Sequence, residues 1–214
     1  MVLHLAEHLD VPLRERNSLL LAAGYAPTYS ETNMDAPAFE AVREALDRIL
    51  AGHEPYPTLV VDRRWNLVAA NQAAGVLVEG VAPELLGPPM NVLRASLHPD
   101  GLAPRIVNYG EWADLILSQL RRQALLSGDQ ELAELERELQ ALAAQFSGDK
   151  RRRPEEGPGV LAVPMRLRTD HGELALLSTI ATFGTALDIT LSELAIESFL
   201  PADAETAAAL QARR

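Results

Sequence analysis

Residues 57–71 read PTLVVDRRWNLVAAN, and this stretch decides the fold. Thr58–Val61 is a short apolar run rich in β-branched residues. Asp62, Arg63 and Arg64 are polar enough to turn, and Trp65–Ala70 is apolar again. Two such runs around a short polar connection predict a β-hairpin. Asn71 follows, a residue type that caps helices well, so a helix is expected over 72–78.

The hairpin's partner strands come late in the chain. Residues 160–168 and 173–183 are rich in β-branched residues and Leu, and TDHG at 169–172 separates them. They predict a second hairpin, and a fifth strand is expected over about 194–200. The chain between the two strand groups reads as helical. Segment 91–97 is apolar and ends in the turn signal His98-Pro99-Asp100-Gly101. Helix 104–127 carries Trp112, Leu115, Ile116, Leu120 and Leu125 at the spacing of one buried face. Helix 129–146 does the same with Leu132, Leu135, Leu139, Leu142 and Phe146. Residues 147–159, SGDKRRRPEEGPG, read as a charged loop, and 203–212 as a closing helix. Two antiparallel strand groups around a helical excursion predict an α+β fold with a five-stranded antiparallel sheet, not a parallel α/β one.

Ahead of the first hairpin the pattern is helical. Residues 2–9 and 13–24 predict two short helices around Asp10-Val11-Pro12, the second stopped by Gly24. This unit is too small to fold alone and is expected to be the remnant of a larger helical domain or to dock on the rest of the chain. Residues 25–37, YAPTYSETNMDAP, read as a linker. Helix 38–51 puts Phe39, Val42, Leu46, Ile49 and Leu50 on one face.

Composition narrows the function. With 214 residues, 48% of them hydrophobic and 23% charged, the chain holds enough apolar residues for a real core. No apolar run approaches the roughly 20 residues that span a bilayer, so no membrane partner is expected. There is no cysteine, hence no disulfide, thiolate metal site or Cys nucleophile, which fits a cytoplasmic bacterial protein. The net charge of -11 opposes contact with a phosphate backbone unless a local basic face exists.

Single motifs are weak. His4-Leu5-Ala6-Glu7-His8 matches H-x-x-E-H, but it lies on a terminal helix without an evident third ligand, and no metal is expected there. Lys150–Arg153, KRRR, lacks aromatic or helical support for nucleic acid and reads as solvated loop. No G-x-S-x-G elbow, P-loop or G-x-G-x-x-G is present. Nothing assembles a nucleophile, base and oxyanion donors, so no enzyme and no cofactor are expected. Arg94, His98 and Asp100 are the polar cluster that a small hydrolase or isomerase would have to use.

Four segments carry a family resemblance: HLDVPLRERNSLLLAAGYAP (8–27), GHEPYPTLVVDRRWNLVAANQAA (52–74), NVLRASLHPDGLAPRIVN (91–108) and ELALLSTIATFGTALDITLSELAIESFLPAD (173–203). The chain resembles XRE-type helix-turn-helix transcriptional regulators with an MmyB-like ligand-binding domain. The resemblance implies that residues 52–212 form a PAS-like domain, a five-stranded antiparallel sheet flanked by helices with an apolar pocket. It implies that residues 1–26 are the last two helices of a helix-turn-helix domain and that 27–51 connect the two. In that family the recognition helix precedes these helices, and this chain starts at Met1 inside what resembles the fourth. Binding to DNA by this chain alone is therefore expected to be poor.

On this reading the ligand is an apolar small molecule, lipid-like or aromatic. Leu59, Val61, Leu67, Leu176, Ser178 and Ile180 of the sheet are its expected walls. Trp112, Ile116 and Leu120 are expected to close the pocket, and Arg94 or His98 to hold a polar head group. Binding is expected to bias helix 38–51 against the N-terminal helices. A homodimer is expected, because such regulators read paired half-sites. The competing reading is a protein-interaction module with no ligand.

Overall fold

A computed structural model describes residues 1–146 and 162–213. The expected KRRR loop lies outside the described residues. The architecture is α+β, as expected: one five-stranded antiparallel sheet flanked by helices.

The opening hairpin is β1 (Thr58–Val61) and β2 (Leu67–Ala70). Its turn is built by Asp62, whose Oδ1 accepts from the backbone N–H of Arg64 and of Asn66 at 2.8 Å each. Asn71 then completes the corner. Its Oδ1 accepts from the N–H of Thr58 (3.0 Å) and of Ala74 (3.1 Å), and its Nδ2 donates to the Tyr56 carbonyl at 2.8 Å. With a longer bond from Nδ2 to the Leu50 carbonyl (3.4 Å), one side chain thus satisfies four backbone groups and caps the 3₁₀ turn at Gln72–Leu77.

The second hairpin is β3 (Met165–Thr169) and β4 (Gly172–Thr182). The last strand, β5 (Ala195–Pro201), enters between the hairpins, giving the order β2-β1-β5-β4-β3. Alternation along β5 builds both faces of the sheet. Ile196 joins Val60 and Leu194 on one face, against Leu46 and Leu50 of helix α3 (Glu40–Gly52). Phe199 joins Leu59, Val61, Leu174 and Leu176 on the other, against the helical excursion.

Numbered along the chain, the remaining helices are α1 (Val2–His8), α2 (Leu13–Ala22), α4 (Val92–Leu97), α5 (Tyr109–Ser127), α6 (Gln130–Phe146), α7 (Ile189–Ser192) and α8 (Ala204–Gln211). Segment 91–97 is thus mostly helix, capped by the Asn91 side chain on the N–H of Arg94. The helix expected from 104 begins only at Tyr109, because Ala103–Arg105 forms a separate 3₁₀ turn. Gly128, left-handed at φ 65°, ends α5 and lets α6 fold back on it. Leu120, Leu132 and Leu139 are almost fully buried within the main apolar core.

Residues 25–37, expected as a linker, are held by the sheet domain. The Ile189 N–H donates to the Ser30 carbonyl (2.8 Å), and Thr32 Oγ1 donates to Asp188 Oδ2 (2.7 Å).

The Asn71→Ala substitution removes four backbone partners at once. Unfolding in urea should show a loss of about 1–3 kcal/mol, with an unchanged slope against denaturant concentration. A loss under about 0.5 kcal/mol would mean that water replaces the side chain at this corner.

Candidate functional site

The helical face of the sheet is not fully covered. A cavity of about 1670 Å³ lies there, open to solvent rather than sealed. Its size is above the usual range of roughly 300–1,000 Å³ for small-molecule sites. Three groups of elements wall it. Leu59, Val61, Leu67, Met165, Ser178, Ile180, Ala195 and Phe199 come from the sheet. Leu93, Ser96, Trp112, Leu115 and Ile116 come from α4 and α5. Val11, Pro12, Glu15, Leu19 and Ala22 come from α2 and the turn before it. Several apolar side chains on these walls remain wet: Leu19 is 45% exposed, Leu115 42% and Ile180 43%.

Trp65 wedges the hairpin turn into this space. Its φ of 65° is left-handed, which costs a bulky residue about 1–2 kcal/mol. The contacts around it offset that strain. The ring is 7% exposed, its Nε1 donates to Gln123 Oε1 at 2.8 Å, and Gln123 Nε2 donates to the Arg63 carbonyl at 2.8 Å. Hairpin turn and α5 are thereby fixed to each other. Trp112 is placed similarly from the other side, with Nε1 donating to Ser96 Oγ at 3.1 Å.

An ion network crosses the mouth of the cavity. Glu193, just after α7, accepts from Arg14 Nε of α2 at 2.6 Å. It also lies 3.4 Å from Arg63 Nη1 of the hairpin turn. Arg63 pairs in addition with Asp129, at the start of α6, and Arg14 with Glu31. Its bonds to these two carboxylates raise the Arg14 pKa further above its ordinary value, and Arg14 holds Glu31 below the usual carboxylate range. Burial alone would push Asp129 up. The N–H groups of Glu131 and Leu132, with Arg63 and Arg64, outweigh it and hold the carboxyl low.

Glu197 is the unusual residue. It lies on β5, faces the cavity and is 8% exposed. Its cross-strand neighbours are Leu59 and Ile180. Among the described residues its one hydrogen-bond partner is Ser178, whose Oγ donates to Oε1 at 2.5 Å. Burial pushes the carboxyl above the usual range, and the bond from Ser178 only partly opposes this. The sequence held a signal for it. In Ala195-Ile196-Glu197-Ser198-Phe199, strand alternation puts Glu197 on the same face as Phe199, a carboxyl on a core face.

Of the residues expected from sequence to contact a ligand, Leu59, Val61, Leu67, Trp112, Ile116, Ser178 and Ile180 line this one cavity. Leu120 and Leu176 are buried in the core beside it, and neither is among its lining residues. Arg94 and His98 also lie outside the lining. Arg94 is committed to Glu138 of α6, with Nε at 2.6 Å and Nη2 at 2.8 Å. His98 Nδ1 accepts from the Asp100 N–H at 3.0 Å, closing its own turn. The His4–His8 pair is equally local, with His8 Nδ1 bonded to the His4 carbonyl at 2.9 Å. No cluster of three or more metal-ligating side chains occurs among the described residues. No helix among them is long and apolar enough to cross a membrane. Sequence reasoning missed Glu197 and the Arg14, Arg63, Asp129 and Glu193 network.

Glu197 makes stability depend on pH in an uncommon direction. Its folded-state pKa is raised, so the folded chain holds this proton more tightly than the unfolded chain. The contribution to stability is full below the ordinary carboxylate pKa and is lost as pH rises through the folded value. The Glu197→Gln variant should therefore gain melting temperature relative to the unsubstituted protein between pH 4 and pH 7. Differential scanning fluorimetry across that range checks it, and a difference that does not change with pH would show that this carboxyl is solvated.

None of the curated proteins matches the chain. A family model does: residues 42–212 match the MmyB-like transcription regulator ligand binding domain. The match takes in most of α3, the whole sheet, the helical excursion and α8. A large open apolar cavity on one face of that sheet is what a ligand-binding domain requires. The chain belongs to the MmyB-like transcription regulator ligand binding domain family.

Proposed function

We propose that the cavity holds an apolar small molecule and that its occupation controls how α1 and α2 pack on the sheet domain. In a regulator carrying a complete helix-turn-helix, that packing would set DNA affinity. The observation that carries this reading is that α2 is itself a wall of the cavity. Pro12, Glu15, Leu19 and Ala22 face the same space as Trp112 and Ile180. A ligand filling that space touches the sheet, α5 and α2 together, so its binding energy depends on where α2 sits. Only such a differential interaction shifts a conformational equilibrium.

The route favoured here differs from the one expected through helix 38–51. Helix α3 packs on the opposite face of the sheet, away from the cavity. The hinge of the proposed mechanism is Glu193, which Arg14 of α2 and Arg63 of the cavity mouth share. Residues 1–26 are taken as the end of a helix-turn-helix domain, and the chain is taken to work as a dimer. A protein-interaction role has one observation in its favour: Leu126, at the rim of the cavity, is 81% exposed.

Native mass spectrometry of the purified protein, then thermal shift after delipidation, tests the ligand reading. A ligand at about a hundred times its Kd adds about 2.7 kcal/mol, hence a rise of roughly 5–10 °C for a chain of this size. An empty protein that responds to no apolar compound would leave the interaction-module reading in its place.

The coupling has its own test. Arg14→Ala should speed amide exchange across α1 and α2 while leaving β1, β4 and β5 protected. A double-mutant cycle between Arg14 and Glu193 should give about 0.5–1 kcal/mol, as for other partly exposed pairs. Unchanged exchange in α2 would remove Glu193 as the link.

A further inference from the structure

The reading above leaves the polar end of the ligand open, and the inside of the cavity constrains it. Glu197 sits in a row of apolar side chains, between Leu59 and Ile180 across the strands and with Ala195 and Phe199 along its own strand. Removing a carboxylate from water without a counter-charge is costly, and proteins meet that cost with partners. Here a single hydroxyl, Ser178, is the partner among the described residues. An ionised carboxylate accepts at about four lone-pair positions, and Ser178 fills one. The cations near the cavity are elsewhere. Arg63 is engaged by Asp129 and Glu193 at the mouth. Arg122 lines the rim, is exposed, and has no ion-pair partner among the described residues.

We propose that Glu197 selects apolar ligands whose polar end donates hydrogen bonds, an aliphatic amine best and an alcohol next, and that it disfavours fatty carboxylates. The proposal rests on the apolar-ligand reading given above. An ammonium head supplies both the missing counter-charge and up to three donors, so it turns the buried carboxyl from a cost into an anchor. A hydroxyl supplies one donor and no charge. A carboxylate head in the same place sets two like charges side by side, and one of them must take up a proton before both fit. A fatty acid is thereby driven to reverse its direction and seek Arg122 at the rim.

Delipidated protein titrated calorimetrically with decylamine, decanol and decanoate at about 0.15 M salt, where long-range attraction is screened, gives the test. Decylamine should bind at least tenfold more tightly than decanoate, with decanol between them. In Glu197→Gln the preference for amine over acid should fall to within threefold. That substitution removes one charge from a chain of net charge -11, so general attraction for cations is nearly unchanged and cannot account for the fall. Decanoate binding as tightly as decylamine to the unsubstituted protein overturns the proposal, and this comparison stands even if the variant does not fold. So does an amine preference that survives in a folded Glu197→Gln. Loss of tight decanoate binding on Arg122→Gln would then locate the head group at the rim. Failure of all three compounds to bind is a different result, because it removes the apolar-ligand reading itself.

Discussion

Everything in this fold depends on β5 entering between the two hairpins. β1 and β2 pair with each other, as do β3 and β4, and β5 pairs with β1 on one side and β4 on the other. The seam is specified beyond the backbone ladder. Thr58 and Ser198 are both buried, face each other across it and share a hydrogen bond at 3.2 Å. Because side chains alternate along a strand, inserting β5 fixes two surfaces together. Ile196 is directed to α3 and Phe199 to the cavity side. A one-residue slip would exchange those faces and put Glu197 against α3.

The same strand explains why the cavity is chemically uneven. Its walls are leucine, isoleucine, valine and tryptophan, contributed by separate elements that each bury an apolar stripe. A buried lining carboxyl with no cationic partner among the described residues, Glu197, comes from β5, and Glu193, the hub of the ion network at the mouth, lies two residues before that strand begins. The polar interior and the polar mouth are therefore fixed to one rigid segment. The two carboxylates still differ in kind. Glu193 is flanked by Arg14 and Arg63 and sits where water screens it. Glu197 has a hydroxyl and apolar neighbours, and burial dominates its behaviour.

Much of this was legible in the sequence, because the signals were local. The hairpin at 57–71, the late strand pair and the periodic helices expected over 104–127 and 129–146 each follow from residue spacing within a short window, though the first helix starts five residues later than its pattern. Asn71 was readable as a cap, though its bonds to the Thr58 N–H and the Tyr56 carbonyl were not, since they depend on where the chain returns. The cavity itself was an expectation of the family resemblance, and seven of the eleven contacts named for it line it. Arg94 and His98 attracted attention because polar residues near a turn suggest a ligand anchor. The Arg94 partner, Glu138, could be assigned only once α4 was packed beside α6, whereas His98 bonds the Asp100 N–H within its own turn. The ion network was illegible for the same reason: Arg14 and Glu193 are 179 positions apart.

On the proposed function, the placement of α2 is what would make the site regulatory. A pocket sealed within the sheet domain would bind a ligand without informing anything beyond it. Here the cavity, open to solvent, is walled by residues of α2 as well as by the sheet and α5. The contacts of α2 are mostly polar: Arg14 pairs with Glu193 and Glu31, Asn17 bonds the backbone of Thr28 and Tyr29, and Arg16 lies over the Tyr29 ring. Partly exposed ion pairs are each worth little, so these contacts are individually weak. A ligand that adds or removes a few tens of Å² of apolar contact there changes the balance by an amount of similar size, about 1 kcal/mol at the usual area coefficient. A wall held by individually weak contacts is the condition under which a small molecule would move a helix, and on the proposed function α2 is that wall.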